Sequence, residues 1–208
     1  MPDFTAEEAL FAWGAQIVAG VDEVGRGPLA GPVTAAAVVL DPQRIPEGLN
    51  DSKALSAKKR ETLAALLRES ADVSIVHVGI DEIERINIRQ AAFQAMDLAL
   101  RRLPRPPDHA LIDGNSLPDA LPCPATPITK GDARTLSIAA ASIVAKVARD
   151  ALMVELAQQH PGYGWEHNAG YATQMHLSAL RDLGVTPHHR RSFAPVRNIL
   201  WQAKSSSP

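Results

Sequence analysis

Residues 17–40 read IVAGVDEVGRGPLAGPVTAAAVVL, two apolar runs joined by a turn rich in glycine and proline. The first run, which extends back to Gln16 and is bounded by glycine, has the pattern of a strand. The second, residues 33–40, is β-branched towards both ends and returns as an antiparallel partner, so the two make a hairpin. At the end of the first strand stand two adjacent carboxylates, Asp22 and Glu23. A buried acid pair is costly unless something positive meets it. The segment therefore points to a cation or a polar substrate held where the strand runs into the turn.

Outward from the hairpin, the periodicity predicts a short helix over 4–13, a helix over 56–70 with Ser56 as its N-cap, and a third strand over 72–80. From Asp81 one helix runs to Leu103 and stops at the prolines of PRPP. Short strands follow over 109–115 and 125–132, and then a long alanine-rich helix over 135–160, small-faced enough to lie close on a sheet. After Pro161 come a glycine and aromatic loop, GYGWEHNAGYAT, a final helix from Gln174, a basic HHRR (188–191) and a polar tail. The order predicts an α/β fold with a mixed sheet, in one domain over 1–208: a core of about 15–160 and a small helical C-terminal portion of about 161–200.

The chain has 208 residues, 46% hydrophobic and 21% charged, in the ordinary globular range. With a net charge of -2 it has no global basic field, so any phosphate contact is local. Cys123 is the single cysteine, which excludes a disulfide framework and a zinc cluster of cysteines, and none of the seven histidines has metal-ligand spacing to a second ligand. There is no long apolar run, and the N-terminal residues are acidic, unlike a signal peptide. A cytoplasmic protein, away from membranes, is expected.

Three strand ends deliver acids: Asp22 with Glu23, Asp113 in LIDGN, and Asp132 in TKGDAR. Acids gathered at one sheet rim repel unless cations neutralise them, and an all-oxygen set suits Mg²⁺ or Mn²⁺. Such clusters serve two-metal phosphodiester hydrolysis. Taken singly, each acid also reads as a solvated turn residue. GVDEVGRG has the glycine spacing of a phosphate loop but Arg26 and Gly27 in place of Lys and Ser/Thr, and a strand follows where a helix is needed. It also fails as a dinucleotide turn, leaving either a turn that exposes backbone amides beside Arg26 or an ordinary hairpin. Lys53 and Lys146 read as phosphate contacts or solvated lysines, Ser137 and Ser142 as hydroxyls bonded to their own helix, and HHRR as a phosphate contact or a solvated turn.

GVDEVGRGPLAGPV, LNDSKALSAKKRETL, IDGN, KGDARTLSIAAASIVAKVARD, YGW followed by GYAT, and HHRRSFAPV occur in this order. Together they resemble the bacterial type 2 ribonuclease H family, ribonuclease HII, over about Val18 to Val196. The resemblance implies an RNase H-like fold, a mixed five-stranded sheet flanked by helices. It also implies endonucleolytic cleavage of RNA paired with DNA, including a single ribonucleotide embedded in duplex DNA. The family's four acids fall on Asp22, Glu23, Asp113 and Asp132, the first three as ligands of Mn²⁺ or Mg²⁺. Its Gly-Arg-Gly element falls on Gly25, Arg26 and Gly27, which would read the junction between ribose and deoxyribose, and its stacking tyrosine on Tyr171. A tight glycine turn that approaches the 2′-OH suits that task, and a flat aromatic face suits a sugar that lacks one.

The chain departs from the family it resembles by carrying Asn168, Ala169, Gln174 and Met175 in a stretch where that family often has one or more lysines. Its tail WQAKSSSP has no sliding-clamp motif. The partners expected are RNA/DNA hybrids and ribonucleotide-containing duplex DNA, met by a monomer giving 5′-phosphate and 3′-OH ends. Two rivals are another metal-dependent nuclease of RNase H-like fold, such as a junction resolvase, and a non-catalytic duplex-binding module. The glycine turn and GYAT argue against the first, and four acids that repel phosphate argue against the second.

Overall fold

The computed structural model describes residues 1–205, with side chains to residue 202. Helix α1 (Thr5–Ala12) leads to β1 (Val18–Val24), which pairs antiparallel with β2 (Val33–Leu40). β2 pairs antiparallel with β3 (Ala71–Val78), while β4 (His109–Asp113) and β5 (Ala125–Ile128) extend the sheet in parallel from the other side of β1. The strand order is β3-β2-β1-β4-β5. The hairpin is thus the middle of a mixed five-stranded sheet, which is why all eight residues of β2 are buried and the run reads as continuously apolar.

Alternation along the strands sends side chains to two helical layers. Ala19, Val21, Ala35 and Ala37 meet Ala95, Met96 and Leu100 of α3 (Ile80–Arg101). Ala36, Val38 and Leu40 meet Leu63 and Leu67 of α2 (Ala57–Ser70) together with Ile143 and Val144 of α4 (Leu136–Gln159). Gly20 lets the start of α4 rest on the sheet, for a Cβ there would fall 2.1 Å from the Ser137 carbonyl carbon. That approach also fixes the turn that precedes α4, which carries Asp132. Helices α5 (Trp165–Asn168), α6 (Gln174–Leu183) and α7 (Ala194–Ser205) build the C-terminal portion around Leu29, Met153, Trp165, Leu180 and Val196. Among the described residues no helix is long and apolar enough to cross a membrane.

The structure corrects the sequence reading in three elements. The strand read over 125–132 ends at Ile128, so Asp132 stands beyond it, in a turn, and not at a strand end. The helix read as unbroken from Asp81 is interrupted at Asn87, whose φ of 67° lies in the left-handed region; its Oδ1 accepts from the Arg89 and Gln90 amides and caps the second segment. The stretch read as a polar tail forms α7, because Val196, Ile199 and Leu200 recur at helical spacing and pack into the C-terminal cluster. Residues 206–208 of that tail lie outside the described residues.

Candidate active site

Val21 opposite Ile112 is the last pair between β1 and β4. The next residues on the two strands are Asp22 and Asp113, so both acids stand at the carboxyl ends of neighbouring parallel strands. Both point to the α4 side: Asp22 alternates with Gly20, beneath Ser137, and Asp113 with Leu111, which packs on Ile138. Asp132 lies in a 3₁₀ turn, Gly131–Ala133, just before α4. That turn is tied to the strand end, since the Gly131 amide donates to Asp113 Oδ1 at 2.7 Å.

Glu23 follows Asp22 in an unbroken strand and alternates to the α3 side, opposite Ala35. It nevertheless lines the same cavity as Asp22. The reason is that β1 ends on one side only: its pairing with β2 continues to Val24, but its pairing with β4 stops at Val21 and β4 itself ends at Asp113, beside Asp22, which leaves Glu23 free to reach round the rim. The cavity, about 310 Å³, is lined by Asp22, Glu23, Asp113, Asp132, Lys53, Lys146, Ser52, Ser142, Val24 and Tyr171.

These acids strain against one another. Burial first, then the charges of Glu23 and Asp113, push the Asp22 pKa well above its ordinary value. Burial raises Glu23 too, against the pull of Arg26, whose Nη1 donates to Glu23 Oε1 at 3.2 Å. Asp132 is raised by burial and by Asp51 and Asp113, against Lys53, whose exposed Nζ stands 3.5 Å from Asp132 Oδ2. Such a cavity favours positive charge. Its donors are all oxygens, which fits a hard divalent cation held by Asp22, Glu23 and Asp113. As they stand, no three acid, imidazole or thiol groups among the described residues close on one ion, because Asp113, Glu23 and Asp132 are turned to Gly131, Arg26 and Lys53.

The Gly25–Arg26–Gly27 turn borders the cavity. Gly25 has φ of 96°, and a Cβ on it would fall 2.3 Å from Arg149 Nε. Gly27 is different: a Cβ there would meet only the Tyr171 ring, at 3.4 Å. Tyr171, 44% exposed, thus stands across the turn and at the cavity wall at once.

The family model for Ribonuclease HII matches residues 19–196. The chain belongs to the ribonuclease HII family. A ribonuclease HII from Cereibacter sphaeroides is 63% identical over 207 residues, which cover 100% of this chain and 98% of that one. Among solved structures, the ribonuclease H2 from Pyrococcus horikoshii OT3 superposes with a TM-score of 0.78 at 26% identity, covering 92% of this chain and 100% of that chain. Bst-RNase HIII in complex with Mn²⁺ shares the fold, with a TM-score of 0.76 at 21% identity, covering 95% of this chain and 73% of that one. As a member of the ribonuclease HII family the chain is a ribonuclease H, a hydrolase.

Several residues that shape this ribonuclease HII site were read differently from sequence. Of HHRR, His189 and Arg190 are fully buried, so neither a phosphate contact nor a solvated turn describes them. Arg190 donates to the carbonyls of Gly25, Arg26 and Gly31. Arg149, also fully buried, donates to those of Pro32, Ala169 and Ala30, and so joins α4 to the hairpin turn and to the loop before Tyr171. The signal for Arg149 was in its spacing, since it continues the buried stripe of Ser142, Ala145 and Met153 on α4. Ser142 bonds across to Ser52 Oγ at 2.7 Å and seats the turn bearing Lys53, while the Ser137 amide donates to Glu7 Oε1; neither serine hydroxyl bonds its own helix. Lys146 is paired with Asp150. Asn168, one of the departures in the stretch before α6, accepts from the Gly170 amide and donates to the Tyr163 carbonyl, bracing the loop.

Proposed function

We propose that the chain is an endoribonuclease that hydrolyses the RNA strand of RNA/DNA hybrids and cuts at single ribonucleotides in duplex DNA. Asp22, Glu23 and Asp113 hold Mn²⁺ or Mg²⁺, and Asp132 completes the cluster. The observation that carries this reading is one cavity lined by all four carboxylates and Tyr171. Bound divalent ions would supply an activated water and charge stabilisation for the leaving oxygen. Water adds to phosphorus and the bond to the 3′ oxygen breaks, leaving 3′-OH and 5′-phosphate ends. Lys53 and Lys146 at the cavity wall offer positive charge to the phosphate.

Selectivity belongs to the turn. Gly25, Arg26 and Gly27 approach the ribose, and only the 2′-OH distinguishes it from deoxyribose. Tyr171, facing Gly27, packs on the next sugar, where a 2′-OH would obstruct it. All of these groups come from one chain, which supports action as a monomer. The test compares cleavage of three duplexes of identical sequence: all DNA, one embedded ribonucleotide, and a continuous RNA strand. The last two should be cut, with a divalent ion required, and Tyr171→Ala should slow the one-ribonucleotide substrate about tenfold. Equal cleavage of all three would support a general nuclease of this fold.

A further inference from the structure

The C-terminal portion encloses a chain of hydrogen bonds that ends on Tyr171. The Thr186 amide donates to His189 Nδ1 at 3.0 Å, which leaves that nitrogen its lone pair and puts the His189 proton on Nε2. The Trp165 indole, a donor only, donates to His176 Nε2 at 3.0 Å and puts the His176 proton on Nδ1. With both tautomers set by these obligate donors, His189 Nε2 donates to His176 Nε2 at 3.0 Å, sharing that nitrogen's one lone pair with the indole, and His176 Nδ1 donates to the Tyr171 carbonyl at 2.9 Å. Every bond runs one way, from Thr186 through His189 and His176 to Tyr171.

Both imidazoles are fully buried, with the Tyr163 and Trp165 rings against them. Neither has room for a second proton. One on His176 Nε2 would confront the indole and His189 donors, and one on His189 Nδ1 would confront the Thr186 amide. Burial, with His176, His188 and His160 nearby, lowers the His189 pKa to about 3, and burial lowers His176 as well.

We infer that His176 and His189 are positioning residues for Tyr171, holding its carbonyl and, through the backbone, the angle at which its ring meets the substrate sugar. This rests on the assignment of Tyr171 to that sugar made above. The Tyr171 amide is held separately, by the Asn168 carbonyl at 2.9 Å, and the Thr173 amide shares the Tyr171 carbonyl at 2.8 Å. His176 is therefore the side chain that ties the Tyr171 carbonyl itself to the buried core.

The test uses the full chain and two readouts. Ring ¹⁵N NMR near neutral pH should show His176 protonated at Nδ1 alone and His189 at Nε2 alone; the other tautomer, or an imidazolium, in either ring overturns the inference. The second readout is the ratio of the rate on a one-ribonucleotide duplex to that on a continuous RNA strand, in a double-mutant cycle. Tyr171→Ala and His176→Leu should each lower this ratio about tenfold or more, and the double variant no further. His176→Asn, which keeps a donor near the Nδ1 position, should recover most of the ratio. Additive losses, or Leu and Asn behaving alike, overturn the inference. Should His176→Leu fail to fold, His189→Gln and Trp165→Phe take its place in the cycle with the same expectation. A ratio moved by Tyr171→Ala but not by the histidine variants refutes the positioning role alone; a ratio unmoved by Tyr171→Ala refutes the sugar assignment, and the positioning role with it.

Discussion

The guanidinium of Arg190 supports Gly25 from within the molecule: Nη2 donates to the Gly25 carbonyl at 2.6 Å, while the same group reaches the carbonyls of Arg26 and Gly31. Carbonyl oxygens take all of these donors. A lysine has one ammonium and no planar fork, so Arg190→Lys strands several carbonyls in a buried place. We expect a loss of about 2–4 kcal/mol. Each kcal/mol lowers Tm by about 2–4 °C in a chain of this size, so a thermal melt within a degree of wild type would contradict this account.

The two glycines of the turn separate shape from recognition. Gly25→Ala places a Cβ at φ of 96° and against Arg149, so it should cost about 2 kcal/mol or more of stability. Gly27→Ala meets only the Tyr171 ring, at ordinary contact distance, and should leave Tm unchanged. Its effect should fall on the rate with a one-ribonucleotide duplex, where the added methyl stands between the turn and the sugar. Denaturation curves and rates on both variants check this, and equal destabilisation would refute it.

Asp113→Asn keeps the acceptor for the Gly131 amide and removes one negative charge from the proposed metal site. Activity should fall about a hundredfold or more, while the melt without divalent ions stays at least as high as wild type, since fewer like charges crowd. Asp22→Asn, at the group that burial first, and then the charges of Glu23 and Asp113, hold well above its ordinary pKa, should be the more stabilised of the two in chelator. Calorimetric titration with Mn²⁺ should show weaker binding for both. Unfolding of either variant would reassign its carboxylate to structure.

The buried imidazoles give stability a pH dependence of definite sign. His189 titrates near its ordinary 6.5 when unfolded but at about 3 when folded, so between these values the unfolded chain binds the extra proton. Its contribution is present above pH 6.5 and is lost as the pH falls towards 3. The margin of wild type over His189→Gln should therefore shrink steadily across that window, by about 1.4 kcal/mol per pH unit at most. Chemical denaturation at several pH values measures it, and a margin that grows in acid would contradict the burial of a neutral ring.

Much of this molecule is legible in local sequence. The hairpin of 17–40, the acids Asp22, Glu23 and Asp113 at strand ends and the small-faced helix follow from hydrophobic period and turn residues, which depend on neighbours a few positions away. Even the departures are local in origin: the break at Asn87 comes from a side chain that caps its own next turn, and α7 from apolar residues at helical spacing. The motifs around Asp22, Asp113, Asp132 and Tyr171 likewise marked which residues to watch.

What the sequence by itself determined, then, was most of the elements, the sheet class and the candidate groups. Only the tertiary structure decided where their atoms end. Arg190 meets Gly25 across 165 positions, so no local pattern could tell a buried clamp from a solvated basic run, and the spacing that puts Arg149 on a buried stripe could not name Ala30, 119 positions away, as its partner. Glu23 joins Asp22 because β4 is one residue too short to wall it off, a matter of register between strands far apart in the chain. The protons of His176 and His189 are placed by an indole and a backbone amide that only folding brings to them. Propensity is a property of neighbours in the chain, whereas burial, charge partners and hydrogen-bond direction are properties of neighbours in space.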